Sequence, residues 1–148
     1  MIEYADLECP YCARAHLILK RLRVTRVFRH FPVTSKHPRA LVLAQAAEAA
    51  ALQGAFWEMH DSLLEDQGHL EDPHLWERVR GLGLDLDRFE TDRRSPQVAS
   101  RVERDFRGGI RAGVATTPTQ FVEGEAFPGV PGEGLVRQLG AADGPAPV

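Results

Sequence analysis

The sequence predicts an α/β fold built on a central sheet of about four mixed strands, with a helical insertion between a βαβ half and a ββα half. Three observations carry this. Strand-like, helix-like and strand-like segments follow one another within the first 32 residues, the order of a parallel βαβ unit. A run of helical patterns then extends to about residue 113. Beyond it the period changes to alternation about a turn, and a short apolar stripe closes the chain.

The first strand is the β-favouring piece Ile2–Tyr4. "CPYCARAHLILKRLR" reads as a helix, because Pro10 suits a first helical position whose N–H has no partner. Its expected apolar stripe is Leu17, Ile18 and Leu22, with Lys20, Arg21 and Arg23 in a last turn that favours cations. Val24, Val27, Phe28 and Phe31 mark a second strand, ended by Pro32.

Five helical segments follow. "PRALVLAQAAEAAALQG" is rich in Ala and Leu and stops at Gly54. "AFWEMHDSLLEDQG" sets Phe56, Trp57, His60, Leu63 and Leu64 on one face. "EDPHLWERVRGLG" has Asp72 as N-cap and Leu75, Trp76, Val79 and Leu82 on one face. "LDLDRFETDRR" is a further short helix. Ser95 then caps a helix with Val98, Val102, Phe106 and Ile110 at one-turn spacing, weakened at its end by Gly108 and Gly109. A hairpin of Thr119–Val122 with Glu125–Phe127 turns at Glu123-Gly124, and Leu135, Val136 and Leu139 mark a last helix. The expected organisation is one domain over 1–140, with its helical insertion at about 33–113 and a disordered tail at 141–148.

Composition narrows the function classes. The 148 residues are 43% hydrophobic and 26% charged, ordinary values for a globular domain with a real core. The net charge of -3 gives no footing for nucleic acid. No apolar run is long enough to span a bilayer. No basic-then-apolar leader is visible, so the chain reads as cytoplasmic if Met1 is the true start and extracytoplasmic if a leader was removed.

Chemistry concentrates in "DLECPYCARAH", which holds the only cysteines, Cys9 and Cys12. Cys9 falls where the helix begins and Cys12 lies one turn on, on the same face. Unpaired N–H groups and the helix dipole stabilise a thiolate at Cys9. In Cys-X-X-Cys sites this lowers the thiol pKa from about 8.5 to about 3.5–7.5. Cys9 is therefore the expected nucleophile and Cys12 the resolving thiol. Competing readings remain at this point. Zinc needs about four ligands, and the pair supplies two, with His16 a third at most. A structural disulfide would close too short a loop to stabilise much. Two inert buried thiols are also possible. The strand-CxxC-helix context favours redox activity, with no metal and no cofactor beyond a redox-active Cys9–Cys12 disulfide.

"EYADLECPYCARAH", "VFRHFPV", "FWEMHDSLLEDQ" and "TTPTQFVEGE", in this order between Ile2 and Leu139, resemble the sequence blocks of the DsbA-like thiol-disulfide oxidoreductases of the thioredoxin superfamily. The resemblance implies a thioredoxin-like fold and disulfide exchange with protein thiols, together with a redox partner. It implies that Thr117-Pro118 is a cis-proline loop beside the CxxC, and that Pro10, Tyr11, Thr117 and Pro118 meet the substrate. Sequence alone would favour a trans bond there. It also implies that Glu3, six residues before Cys9, is a buried acid that accepts the proton of the resolving thiol; otherwise Glu3 reads as an exposed strand carboxylate. CPYC is equally a glutaredoxin dipeptide, but the long stretch between Pro32 and Thr116 argues against a compact glutathione-dependent reductase. A non-catalytic binding module is the third reading. His60 and His30 are expected as hydrogen-bonded core residues and His16 as an exposed one, none of them catalytic.

Overall fold

The computed structural model describes residues 1–142. Eleven elements follow one another among them: β1 (Ile2–Ala5), α1 (Pro10–Leu19), β2 (Val27–His30), α2 (Ala40–Ala51), α3 (Phe56–Glu65), α4 (Asp72–Gly81), α5 (Leu86–Asp92), α6 (Pro96–Arg111), β3 (Thr119–Val122), β4 (Glu125–Pro128) and α7 (Glu133–Ala142). The tail expected at 141–148 falls, from residue 143 on, outside the described residues.

The strands form one mixed sheet in the order β2-β1-β3-β4. β1 pairs parallel with β2, as a βαβ crossover requires, and antiparallel with β3; β3 and β4 form the hairpin. The hairpin turn has positive φ at both central residues, Glu123 at 51° and Gly124 at 82°, the pattern of a type I′ turn. The register pairs Glu3 with Gln120 across β1 and β3. This is a thioredoxin-like α/β fold, with helices α2 to α6 inserted between its two halves.

The main core lies between the sheet and this insertion, with Phe28, Leu43, Met59, Leu63, Leu75, Val79 and Phe89 buried in it. A second cluster joins Leu19 to Leu135 and Leu139. α2 packs on α3 and α6, α6 on β2, and α1 on α3.

Several helix faces differ from those expected. α1 buries Cys12, Ala15, His16 and Leu19, a stripe at i, i+3, i+4 and i+7, while Leu17 is exposed. The helix ends at Leu19, so Arg21 and Arg23 lie beyond it and Lys20 is its C-cap. His16, expected in solvent, is 1% exposed. A small residue and a histidine carry the inward face, and a count of apolar side chains passes over both. In α3 the buried residue beside His60 is Met59, and Trp57 is exposed. Glu71, not Asp72, is the N-cap of α4. Ile110 is exposed, and its place on the inner face of α6 is taken by Asp105 and Gly109. Gly109 is required there by close approach. A Cβ would lie 2.6 Å from Phe31 Cδ2 and 3.0 Å from Tyr4 Cδ1.

Candidate active site

Cys9 is the N-cap of α1, with φ -72° and ψ 124°, and Pro10 occupies the first helical position. The chain turns into the helix through a Cys9 N–H bond to the Asp6 carbonyl at 3.1 Å. Both cysteines are unbridged and buried. The Cys9 thiol points at the Thr117 carbonyl oxygen, 3.7 Å away and 108 residues on in sequence.

The two thiols sit in opposite fields. Cys9 is lowered from 9.0 to about 5. The largest cause is a hydrogen bond from Cys12, which outweighs the cost of burying the charge; the Thr117 side chain and the N–H groups of Cys12 and Tyr11 add to it. Cys12 is pushed strongly upward, first by burial and then by its bond to Cys9 and the Cys9 charge. One thiol is thus ionised at neutral pH and its partner keeps its proton.

A cleft of about 180 Å³ opens over Cys9, lined by Pro10, Tyr11, Val33, Lys36, His37 and the 115–117 segment. Tyr11 is 57% exposed at its rim. The Thr117-Pro118 bond is cis. Pro118 is buried behind Thr117, and its carbonyl accepts the N–H of Gly129 at 2.7 Å, so Thr117 is the loop residue that faces Cys9.

Glu3 is buried beneath the site, at 2% exposure. It is not alone there. Arg26 Nη2 lies 2.9 Å from one carboxylate oxygen, and Gln120 Nε2 donates to the other at 3.2 Å. The β1–β3 register and a residue just before β2 supply both partners, and the Glu3 charge adds to the upward push on Cys12.

Three residues around the cysteines carry no sequence signal of their own. Asp6 is buried, and its carboxylate accepts the N–H groups of Glu8 at 2.9 Å and Val33 at 2.8 Å and meets His37 Nδ1 at 2.9 Å. Its own N–H donates to Cys12 Sγ at 3.4 Å. Glu8 accepts the N–H of Arg39 at 2.7 Å. Gln67, between α3 and α4, donates its amide to the carbonyls of Leu7 at 3.1 Å and Cys9 at 3.0 Å. His30 is buried and hydrogen-bonded to Glu48 at 2.8 Å, and His60 is buried with Asp61 at 2.8 Å.

Comparison with known proteins agrees with this architecture. The model of the DSBA-like thioredoxin domain matches residues 25–139. A thioredoxin-like oxidoreductase from Silicibacter pomeroyi superposes with a TM-score of 0.82 at 26% identity, over 93% of this chain and 82% of that one. The thiol-disulfide exchange protein alpha-DsbA2 from Wolbachia pipientis shares the fold, with a TM-score of 0.82 at 19% identity over 93% of this chain and 77% of that one. In sequence the chain is 44% identical, over 134 residues, to the Na(+)/H(+) antiporter NhaA 1 of Salinispora arenicola; the match takes in 87% of this chain and 21% of that protein. The chain thus spans about a fifth of the length of that relative, and none of its described helices is long and apolar enough to cross a membrane. The family match covers most of the chain, from just before β2 into α7 and through the whole insertion: the chain belongs to the DSBA-like thioredoxin domain family.

Proposed function

We propose that this chain is a thiol-disulfide oxidoreductase that exchanges disulfides with protein thiols through Cys9 and Cys12. The observation that carries the reading is the split between the two sulfurs, one lowered to about 5 and accessible from a cleft, the other buried and held protonated. A thiolate near the helix end is both a good nucleophile and a good leaving group.

The oxidised pair reacts in two steps. A substrate thiolate attacks Cys9 Sγ, the Cys9–Cys12 bond breaks, and Cys12 leaves as a thiolate that takes up a proton. Glu3, the buried carboxylate below, is the group we assign to exchange that proton. A second substrate thiolate then attacks the substrate sulfur of the mixed disulfide and expels the Cys9 thiolate. Two substrate thiols become one disulfide, and two electrons reside in the reduced pair. Pro10, Tyr11 and Thr117 border the cleft in which an extended substrate segment would lie, with Pro118 fixing the Thr117 loop behind it. Because the folded chain stabilises the Cys9 thiolate, it favours the reduced pair, which makes the disulfide a good oxidant. Another protein or small disulfide must then reoxidise the pair.

Titration of the pair against glutathione buffers tests both activity and direction. A potential toward about -120 mV marks an oxidase and one toward about -270 mV a reductase. Failure to form a Cys9–Cys12 disulfide at any ratio would overturn the proposal. Cys12→Ser is expected to accumulate a mixed disulfide with a substrate thiol, and Cys9→Ser to form none.

A further inference from the structure

We propose that His16, His60, Asp61 and Glu65 form a binding site for a divalent transition-metal ion of the zinc class, bridging α1 to α3. The cluster begins one turn beyond Cys12 on the buried face of α1, and the exchange reaction makes no use of it.

Its geometry is that of a ligand set. His16 Nε2 lies 3.8 Å from Asp61 Oδ1 and 3.8 Å from Glu65 Oε1. His60 Nδ1 lies 2.8 Å from the same Asp61 oxygen. One ligand atom from each of His16, His60 and Asp61 can be chosen so that all lie within 4.8 Å of one another. Four donors at metal-bond lengths of about 2.0–2.1 Å in a tetrahedron stand about 3.3 Å apart. The spacings of His16 and His60 from Asp61 bracket that value, and Glu65, 3.8 Å from His16, stands next to this set as the fourth donor.

A second observation points the same way. His16 and His60 are buried, yet both nitrogens of His16 and Nε2 of His60 have no hydrogen-bond partner. Buried polar atoms in native proteins are almost always satisfied, and an unpartnered imidazole nitrogen offers its lone pair to a ligand. A cavity of about 320 Å³ reaches the cluster from solvent, lined by His16, Lys20, Val24, Arg26, Trp57 and Asp61. Two cations share this cavity. Lys20 pairs with Glu65 and is displaced by the metal. Arg26 is held elsewhere, on Glu3 and over the Trp57 ring. Two imidazoles with two carboxylates suit zinc or a neighbouring transition ion, not magnesium or calcium.

The test uses the full chain with Cys9→Ser and Cys12→Ser, so that no thiolate competes for the ion. Titration with Zn²⁺ is expected to show one equivalent bound, and Zn²⁺ but not Mg²⁺ is expected to raise the thermal midpoint. With Co²⁺ as probe, the unmodified reduced chain should give d–d absorption at one equivalent before any thiolate charge-transfer band appears. His16→Gln and Asp61→Asn should each weaken Zn²⁺ binding by about tenfold or more. Lys20→Met, at an exposed position that does not threaten the fold, should bind Zn²⁺ several-fold tighter by removing the competing ammonium. No Zn²⁺ uptake by the double-serine chain, or an affinity unmoved by both His16→Gln and Lys20→Met, overturns the proposal.

Discussion

The backbone N–H of Asp6 donates to the sulfur of Cys12 while the carboxylate of the same residue holds the N–H of Val33, 27 residues away. One residue thereby ties the resolving thiol to the segment that walls the cleft. Asp6→Ala would leave the Val33 and Glu8 N–H groups without their acceptor. Both donors are partly buried, and an orphaned donor costs up to about 1–3 kcal/mol, so a loss of about 1–3 kcal/mol is expected in urea unfolding of the reduced chain. Asp6→Asn, which keeps one acceptor oxygen, should lose less; equal losses would show that the carboxylate is not the link.

The reduction potential should bend with pH near 5. Cys9 is an acid whose folded, reduced pKa of about 5 lies below its ordinary 9.0, so its ionisation stabilises the reduced chain. That contribution is complete above about pH 9 and lost as pH falls through about 5. A two-electron couple moves about 30 mV per proton per pH unit. Below pH 5 both thiols carry protons and the slope should be about 59 mV per unit; above it only Cys12 does and the slope should halve to about 30 mV. Redox titrations from pH 4 to 8 would settle the matter, and an unbroken slope of about 59 mV would mean that Cys9 is not ionised.

Adjacent glycines in α6 should respond in opposite directions to the same substitution. A Cβ on Gly108 meets only the Tyr4 hydroxyl at 3.6 Å, an ordinary contact, so Gly108→Ala should stabilise by about 0.5–1 kcal/mol through the helix backbone. A Cβ on Gly109 would press on Phe31, whose ring is fixed between Phe106 and Tyr4, at centroid distances of 4.7 Å and 6.5 Å. Gly109→Ala should therefore destabilise by about 1–3 kcal/mol. Thermal unfolding of the two variants side by side is the check.

Arg26 and Glu3 should prove strongly coupled. Arg26→Ala strands a buried carboxylate with only Gln120 beside it, at an expected cost of about 3–5 kcal/mol. Glu3→Gln in the same chain removes the stranded charge and should recover a good part of that loss. A double-mutant cycle reads the coupling directly, and additive losses would show that the pair is not the source.

The period changes made the architecture legible. Strand, helix and strand around Cys9, and the alternation about Glu123-Gly124, each carry a local pattern that needs no partner to be read. The place of Cys9 at the head of α1, with Cys12 one turn on, was legible for the same reason, since Pro10 after a strand marks the helix start locally. Inward faces were less so. α1 turns Ala15 and His16 to the core because α3 lies against it, and no property of those two residues taken alone says so. Asp6, Glu8 and Gln67 were missed because their partners are backbone groups of loops dozens of residues away, a kind of contact that leaves no periodicity.

Gln67 gives the insertion a different standing from that of an ornament on the sheet. Its single amide donates to two carbonyls of the loop that delivers Cys9, and the Cys9 carbonyl also accepts the N–H of Ala13. A shortened chain that joined β2 directly to β3 could keep every strand pairing and still lose both of these bonds. The inserted helices thus hold the loop that carries Cys9 as well as covering the sheet.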